Sequence, residues 1–318
     1  MRVLHQARSW HRVVAGVATV VAVAMGSVAC SSSSGSPPAS PAGKSIAAGT
    51  AQLDTLKAGV IKVAVEPYAP YTSMDSGKLV GLDADILSDA AGQLGLRIDP
   101  VVTDFNGMLA SVQTHRVDIS IGGIAWSADR QKVGLFTDPA YYSPPAMAVK
   151  PGETIKTVTD LEHKAIGTVQ GYIWVKAIQQ IPGASLHVYQ NAPAVLADLA
   201  SGRIDVAFLD PLLLIAAEKA GQHVTIQYLQ PLTAADIAQH PDYTAFQPYM
   251  VAFYIPKQEP KLEQALSAKM RAMYTNGKLA ALITKYGGDP KQFLQPTPDF
   301  ATQRRGVDRS QDWQPPSM

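Results

Sequence analysis

The stretch that decides the fold is Asp118-Ile-Ser-Ile-Gly-Gly-Ile-Ala-Trp-Ser-Ala-Asp-Arg130. Residues 119–121 predict the end of a buried strand, and Gly122-Gly123 let the backbone turn sharply. Ser127 then offers a helix cap, which places Arg130 just inside a new helix. A strand that ends in glycines and opens a helix turns several N–H groups toward one side of a cleft, where an anion can bind beside an arginine. A βα turn with a surface arginine is equally compatible with this stretch alone.

A second stretch, Gly202-Arg-Ile-Asp-Val-Ala-Phe-Leu-Asp210, favours the binding interpretation. Residues 204–209 predict a buried strand that ends on a carboxylate. Ligands of open α/β sheets lie outside the carboxyl ends of strands, where Arg130 and Asp210 both fall. Arg116-Val-Asp-Ile119 is also echoed by Arg203-Ile-Asp-Val206, and each follows a helical pattern and enters a strand. Two similar α/β units, one offering a cation and the other an anion, would suit a zwitterion held between two lobes.

Composition limits the possible functions. The chain has 318 residues, of which 47% are hydrophobic, enough for one large domain or two lobes. When Arg2, Arg8 and Arg12 of the N-terminal segment are set aside, 24 basic residues face 26 acidic ones. A chain so close to neutral argues against a nucleic-acid partner. The remaining histidines lack metal-ligand spacing, so we expect no metal and no cofactor.

The N-terminus predicts export and attachment to a membrane. Residues 1–29 carry three arginines and then an uncharged apolar run, which is typical of a secretory signal. Cys30 is the only cysteine and follows small residues, so the junction resembles a bacterial lipobox, although Ser27 replaces its usual aliphatic residue. The alternative is an incidental cysteine beside an ordinary signal-peptidase site. Residues 30–50, rich in Ser, Pro, Ala and Gly, predict a flexible tether. We therefore expect an extracytoplasmic protein, anchored to the outer face of the cell membrane by a lipid on Cys30.

The order of predicted elements indicates the α/β class. Val60 to Val65 predicts a strand, and a helix starts near Asp83. Alternation of strands and helices continues to residue 121 and implies a largely parallel sheet with helices on its faces. After Pro144-Pro145 and Pro151-Gly152 the alternation restarts with strands at 165–169, 185–190 and 204–209 and helices at 172–181, 194–201 and 212–220. Residues 225–248 are not assigned.

Seven stretches, in the right order, resemble the extracytoplasmic solute-binding proteins of amino-acid ABC importers, family 3. They are Val63–Tyr71, Gly81–Asp85, Thr103–Gly107, Asp118–Arg130, Phe136–Tyr142, Gly202–Asp210 and Asn276–Tyr286. The resemblance covers about residues 53–288. It implies the type II periplasmic-binding fold: two lobes, each a mostly parallel sheet with flanking helices, joined by a hinge of two crossing strands.

The resemblance also implies a domain organisation. Lobe 1 would comprise residues 51–147 and 254–290, and lobe 2 would comprise residues 148–253. The crossing strands would be Ala146–Lys150 and Met250–Ile255. A polar tail at 291–318 is expected to be loosely held. The protein would be a monomer that closes on its solute and delivers it to the permease subunits of an ABC transporter.

Residue by residue, the resemblance assigns a ligand site. Arg130 would hold the α-carboxylate and Asp210 the ammonium of an amino acid. Tyr68 and Phe105 match positions where aromatic rings pack on the ligand; the alternative is packing beneath the loop, and the pocket is favoured for Tyr68 only. Glu66 matches an acidic position that meets a cationic side chain in some members, with a surface or structural carboxylate as the equal alternative.

Other positions depart from the family pattern or serve the scaffold. Gly123 and Ala125 should line the pocket through their backbone, although Ala125 stands where a hydroxyl is common. Gly171-Tyr172-Ile173 replaces a Gly-Thr-Thr-like loop, which adds bulk to the ligand site, and Trp126 is larger than the usual aliphatic residue. The aspartates at 118 and 205 are interpreted as structural, and those at 83, 85 and 138 as turn and helix caps.

Two rival functions share this fold. Periplasmic dehydratases that act on cyclohexadienyl amino acids need an acid facing a leaving group, and Glu66 or Asp210 could serve. A sensing lobe that reports its ligand to a receptor would use the same pocket. No nucleophile elbow or zinc-protease motif occurs in the sequence. We therefore predict a binding protein without catalytic residues, for a small polar or cationic amino acid or a related amine-bearing solute.

Overall fold

The computed structural model describes residues 53–318, so the predicted signal peptide, the tether and Cys30 lie outside the described residues. The strands are β1 Val60–Val65, β2 Ser73–Asp75, β3 Lys78–Val80, β4 Arg97–Val102, β5 Ile119–Ser120, β6 Leu135–Phe136, β7 Tyr141–Ser143, β8 Ala146–Val149, β9 Ala165–Val169, β10 Ser185–Tyr189, β11 Val206–Phe208, β12 Thr225–Tyr228, β13 Tyr249–Val251 and β14 Tyr254–Ile255.

The α-helices are α1 Leu82–Gln93, α2 Phe105–Gln113, α3 Ala128–Gln131, α4 Trp174–Gln179, α5 Ala192–Ser201, α6 Pro211–Lys219, α7 Ala234–Gln239, α8 Pro260–Thr275, α9 Lys278–Lys285, α10 Pro290–Phe293 and α11 Phe300–Arg304, with 3-10 turns at Thr159–Leu161 and Pro241–Phe246. Among the described residues, no helix is both long and apolar enough to cross a membrane.

Two five-stranded sheets form the cores of two lobes. The first has the order β4-β1-β5-β14-β6, with β1 parallel to β4 and β5. The second has the order β10-β9-β11-β8-β12, with β9 parallel to β10 and β11. Strands β14 and β8 run antiparallel to their neighbours, so each sheet is mixed with a parallel centre. The two-lobed α/β class predicted from the alternation is confirmed.

The chain crosses between the lobes through an antiparallel pair. β7 pairs with β13, matching Tyr142 with Met250, and both strands are buried. The predicted crossing at Ala146–Lys150 is wrong, because Ala146–Val149 is β8, a member of the second sheet. Pro144-Pro145, which lacks two N–H donors, ends β7 and separates the crossing from that sheet.

The C-terminal segment is an anchored part of the fold, which corrects the expectation of a loosely held tail. Phe300 and Trp313 are buried, and Arg304 is 0% exposed. Arg304 donates to the carbonyls of Thr137 and Phe136 at 2.8 and 3.1 Å. The segment also touches the crossing, where the Tyr142 hydroxyl donates to the Pro316 carbonyl at 2.6 Å. The polar composition concealed this packing because the anchors are ion pairs and isolated rings.

Candidate functional site between the lobes

The glycine turn after β5 is held by a carboxylate of the protein itself. The N–H groups of Gly122 and Gly123 both donate to Asp83 Oδ2 at 2.9 Å. The Tyr141 hydroxyl, from the crossing, donates to Asp83 Oδ1 at 2.8 Å. The expectation that these two N–H groups would meet a ligand anion is therefore wrong. Asp83 was predicted to cap a turn or helix, but its side chain makes no cap to α1 and instead binds the distant glycine turn.

Arg130 projects from the short helix that follows this turn. Ser127 caps the helix, as predicted, by accepting the Arg130 backbone N–H at 3.2 Å. The guanidinium donates Nη1–H to the Ala125 carbonyl at 2.7 Å and Nη2–H to the Gly171 carbonyl of the second lobe at 2.9 Å. Desolvation lowers the pKa of Arg130 to about 10, so the group stays charged near neutral pH. A guanidinium has five N–H donors, and these two bonds leave others for a ligand.

Asp210 enters the same space from the end of β11. It is 4% exposed and accepts the Tyr68 hydroxyl at 2.6 Å on Oδ2 and the Tyr249 hydroxyl on Oδ1. Burial raises the pKa of Asp210 to about 6, while these hydroxyls and the charge of Arg130 act in the opposite direction. The arginine and the aspartate therefore influence one another electrostatically across the lobes, as the strand-end argument anticipated.

Tyr172, carried by the second lobe, brings Glu66, Tyr68 and Phe105 together. Its ring meets Phe105 edge-on at 4.8 Å and Tyr68 at 6.1 Å between centroids. Its hydroxyl donates to Glu66 Oε1 at 3.1 Å. Burial raises the pKa of Glu66 to about 7. The acidic and aromatic positions expected to surround a ligand side chain thus surround a tyrosine of the protein.

A cavity of about 20 Å³ lies between Arg130 and Asp210, which is the space of about one water molecule. Its walls include the predicted positions Phe105, Gly123, Ala125, Tyr172 and Ile173. Glu66 and Tyr68 reach it only through their bonds to Tyr172 and Asp210.

Three lining residues were not predicted: Gly122, Trp174 and Tyr249. The buried Trp174 Nε1 has no hydrogen-bond partner among residues 53–318. Tyr249 begins the crossing strand β13, so its proximity to the cleft was implicit in the chain order.

A second, larger space adjoins this cavity. This side chamber has a volume of about 660 Å³ and draws its walls from both lobes. Arg130, Tyr172, Ile173 and Tyr249 line both the cavity and the side chamber. Gly171, a predicted site residue, lines the side chamber but not the cavity, and the same is true of Trp126.

Comparison with known proteins identifies the family. Residues 61–289 match the model of the bacterial extracellular solute-binding proteins, family 3. The chain belongs to this family. The resemblance seen in the seven stretches is therefore confirmed, and the C-terminal segment beyond residue 289 lies outside the matched part.

Curated relatives of this family 3 protein are named for amino acids. It is 33% identical over 159 residues to the L-cystine-binding protein TcyJ of Escherichia coli strain K12, an alignment that covers 48% of this chain and 60% of the relative. It is 28% identical over 148 residues to the lysine/arginine/ornithine-binding periplasmic protein of the same strain, covering 45% and 57%. Each alignment spans less than two thirds of the relative.

Solved structures show the fold. The substrate-binding protein of an amino acid ABC transporter is similar with a TM-score of 0.63 at 24% identity, over 72% of this chain and 99% of that one. The ancestral amino acid-binding protein AncCDT-1, described as a precursor of cyclohexadienyl dehydratase, is similar with a TM-score of 0.61 at 22% identity, over 72% and 95%. These likenesses establish the type II periplasmic-binding architecture.

Proposed function

We propose that this family 3 protein binds an α-amino acid, or a closely related amine-bearing solute, between its lobes and delivers it to an ABC importer. The observation that carries the proposal is the placement of Arg130 and Asp210. Opposite charges from different lobes border one small desolvated cavity. A zwitterion matches both, since the arginine can bind a carboxylate and the aspartate an ammonium group.

The surroundings of each charge support a ligand role. Two backbone carbonyls orient Arg130 without neutralising it. Tyr68 of the first lobe and Tyr249 of the crossing strand β13 fix the Asp210 carboxylate, and a carboxylate can accept about four hydrogen bonds. Because Asp210 is buried and Arg130 is half-buried, their contacts with a ligand are stronger than they would be at a fully exposed surface.

Entry of a solute requires movement. A cavity of about 20 Å³ cannot admit an amino acid while the lobes stay as they are. We infer that the two lobes, one built on each five-stranded sheet, open and close about the β7–β13 crossing. The predicted boundary between residues 147 and 148 is wrong because it would divide β8, so the second lobe begins after Pro144-Pro145. Small-angle scattering should show a smaller radius of gyration with solute, and an unchanged radius would contradict hinge closure.

The preference for a cationic side chain is a separate hypothesis that rests on Glu66. The Glu66 carboxylate is occupied by the Tyr172 hydroxyl, so a cation would have to displace that bond. Glu66→Gln should then lower the affinity for lysine, arginine and histidine and leave the affinity for neutral amino acids unchanged. Equal affinities in the two proteins would exclude Glu66 as the cation site.

We propose a binding protein in preference to an enzyme because the curated relatives are named for binding. Glu66 is the group a dehydratase would use as an acid, since its pKa of about 7 suits proton transfer near neutral pH. Incubation with prephenate or arogenate should yield no product. A sensing role would use the same pocket and differs only in the partner that recognises the closed form.

Localisation follows from the N-terminal sequence. We propose a monomer attached to the outer face of the cell membrane by a lipid on Cys30. Cys30→Ala should release the protein from the membrane fraction, and retention of the variant would contradict the anchor.

The deciding experiment is thermal stabilisation of the purified protein by a panel of amino acids, amines, carboxylates and small peptides. An α-amino acid should raise Tm in the wild type, and the shift should disappear in Arg130→Ala and Asp210→Asn. Arg203→Ala and Asp198→Asn are matched controls, because Asp198 also accepts a tyrosine hydroxyl and pairs with an arginine, but lies outside the cleft. Stabilisation by a solute with a single charge would contradict the zwitterion site.

A further inference from the structure

The expected space for a ligand side chain is filled by the protein. Tyr172 has its ring against Phe105 and Tyr68 and its hydroxyl on Glu66, and it is 8% exposed. A solute whose side chain entered this space would have to expel a buried ring and break its hydrogen bond.

The loop that carries Tyr172 is fixed against the first lobe. The Gly171 carbonyl accepts Arg130 Nη2–H at 2.9 Å. Gly171 has φ +85, and a Cβ at this position would overlap the side chain of Asn106 and lie 3.3 Å from Phe105. Only glycine allows the loop so near, which keeps Tyr172 in place whenever the lobes are closed.

The side chamber offers another route from the head-group site. Arg130 and Ile173 belong to the walls of both spaces, so a solute held by Arg130 can extend into the chamber without displacing Tyr172. Its volume of about 660 Å³ lies within the range of roughly 300–1,000 Å³ typical of pockets for drug-sized ligands.

The lining of the chamber indicates the chemistry of its occupant. Trp126, Val175 and Pro248 give it apolar walls. Lys176, Asp129 and Asp242 also line the chamber, and the first two form an ion pair at 3.1 Å that joins the lobes. An elongated body with polar groups at its far end fits these walls better than a short side chain.

We infer that the side chamber receives the side chain of the solute, and that the solute is an α-amino acid with a long, largely apolar side chain that ends in a polar or charged group. The inference rests on the proposed function, because Arg130 and Asp210 hold the head group. Trp126, Tyr172 and Ile173, the three departures from the family pattern that add bulk near the site, then determine the direction of the side chain.

The test compares the affinities of L-alanine, L-citrulline and L-cystine by calorimetry. In the wild type the two long amino acids should bind at least about tenfold more tightly than L-alanine. Ala245→Trp, which fills the chamber, should reduce this ratio by about tenfold or more. Thr244→Trp, at an exposed wall position, provides a second filling variant, and Ala235→Trp, exposed and outside the chamber, should leave the ratio unchanged.

The outcomes separate the two proposals. If Arg130→Ala abolishes binding of all three amino acids but neither filling variant changes the ratio, the chamber is excluded and the zwitterion site stands. Binding of L-alanine alone, or of peptides in place of amino acids, would also overturn the chamber as the side-chain site. If no amino acid binds to the wild type, the proposed function itself fails.

Discussion

Two arginines of this molecule make the same kinds of contact, with one exception. Arg130 at the cleft and Arg304 in the C-terminal segment each donate to two backbone carbonyls and lie over aromatic rings. Arg304 also pairs with Asp308 through three N–H···O contacts. Arg130 has no carboxylate within 4.0 Å among residues 53–318.

A buried cation serves the structure when a carboxylate of the protein pairs with it, and it can serve a ligand when none does. Arg304 is neutralised where it lies, and a charge that is fully paired can be removed from water. Arg130 keeps its orientation through carbonyls, which leaves its charge available to a carboxylate from outside. Arg304 therefore stabilises the C-terminal segment of the first lobe, whereas Arg130 is available for ligand recognition at the cleft.

The largest effect is expected when the paired arginine is removed. Arg304→Met removes the principal partner of the Asp308 carboxylate, which is 3% exposed and keeps only Arg309 Nη1 at 3.8 Å. The free energy of unfolding should fall by about 3–5 kcal/mol, as measured by denaturant titration.

Arg130→Met is the matched comparison for that substitution. It should change the free energy of unfolding by only about 1 kcal/mol, because two hydrogen bonds to carbonyls and the contact with the Phe105 ring are lost from a half-buried site that has no carboxylate within 4.0 Å in the described part of the chain. It should nevertheless abolish solute binding, which Arg304→Met should retain below its unfolding temperature. Similar losses of stability in the two variants would show that the missing carboxylate does not distinguish them.

The sequence predicted the parts of this contrast that depend on local pattern. The strands Val60–Val65 and Ala165–Val169 have the predicted bounds, because short runs rich in apolar and β-branched residues between turns indicate buried strands. Arg130 and Asp210 were both found from their position after a strand. Their proximity follows from the rule that parallel strands end at one edge of a sheet.

Contacts between distant residues could not be predicted. Asp83 binds the glycine turn 39 residues further along, and no spacing rule connects a helix start with a later strand end. The sequence identified Tyr172 as a bulky residue near the site, but not as the donor to the Glu66 carboxylate. That hydrogen bond depends on how closely the two lobes approach each other, which the sequence does not give. The packing of the C-terminal segment was also not predicted, because Arg304 and Trp313 belong to no periodic pattern.

A smaller effect concerns the carboxylate opposite Arg130. Burial raises the pKa of Asp210 from 3.8 to about 6, so the folded protein binds this proton more tightly than the unfolded chain. Its contribution to stability is most favourable below about pH 4 and is lost as the pH rises through about 6. Relative to wild type without solute, Asp210→Asn should therefore be about 1–3 kcal/mol more stabilising at pH 7.5 than at pH 4, measured by denaturant unfolding.

Asp198→Asn is the control for the pH experiment. Hydrogen bonds from Arg203 and Tyr189 lower the pKa of Asp198, so its contribution has the opposite sign and is already present above its ordinary pKa. This variant should be destabilised at both pH values. If Asp210→Asn were also destabilised at both pH values, Asp210 would be a structural partner like Asp198. The contrast between Arg130 and Arg304 would then not apply to the aspartates near them.

The smallest effect concerns the hydrogen bonds and ion pairs that hold the C-terminal segment, residues 291–318, on the first lobe. Trp313 Nε1 donates to Asp138 at 3.1 Å, and Arg309 and Arg271 pair with the same carboxylate. Trp313→Phe removes one bond of several, so we expect a loss of about 1 kcal/mol in unfolding free energy and no change in solute affinity. Val307→Ala, at an exposed position of the same segment, should have no measurable effect. A loss as large as that of Arg304→Met would mean that the C-terminal segment detaches as a unit, because one hydrogen bond to a carboxylate that keeps two arginine partners cannot account for it. The stability attributed to the ion pair of Arg304 would then belong to the whole segment.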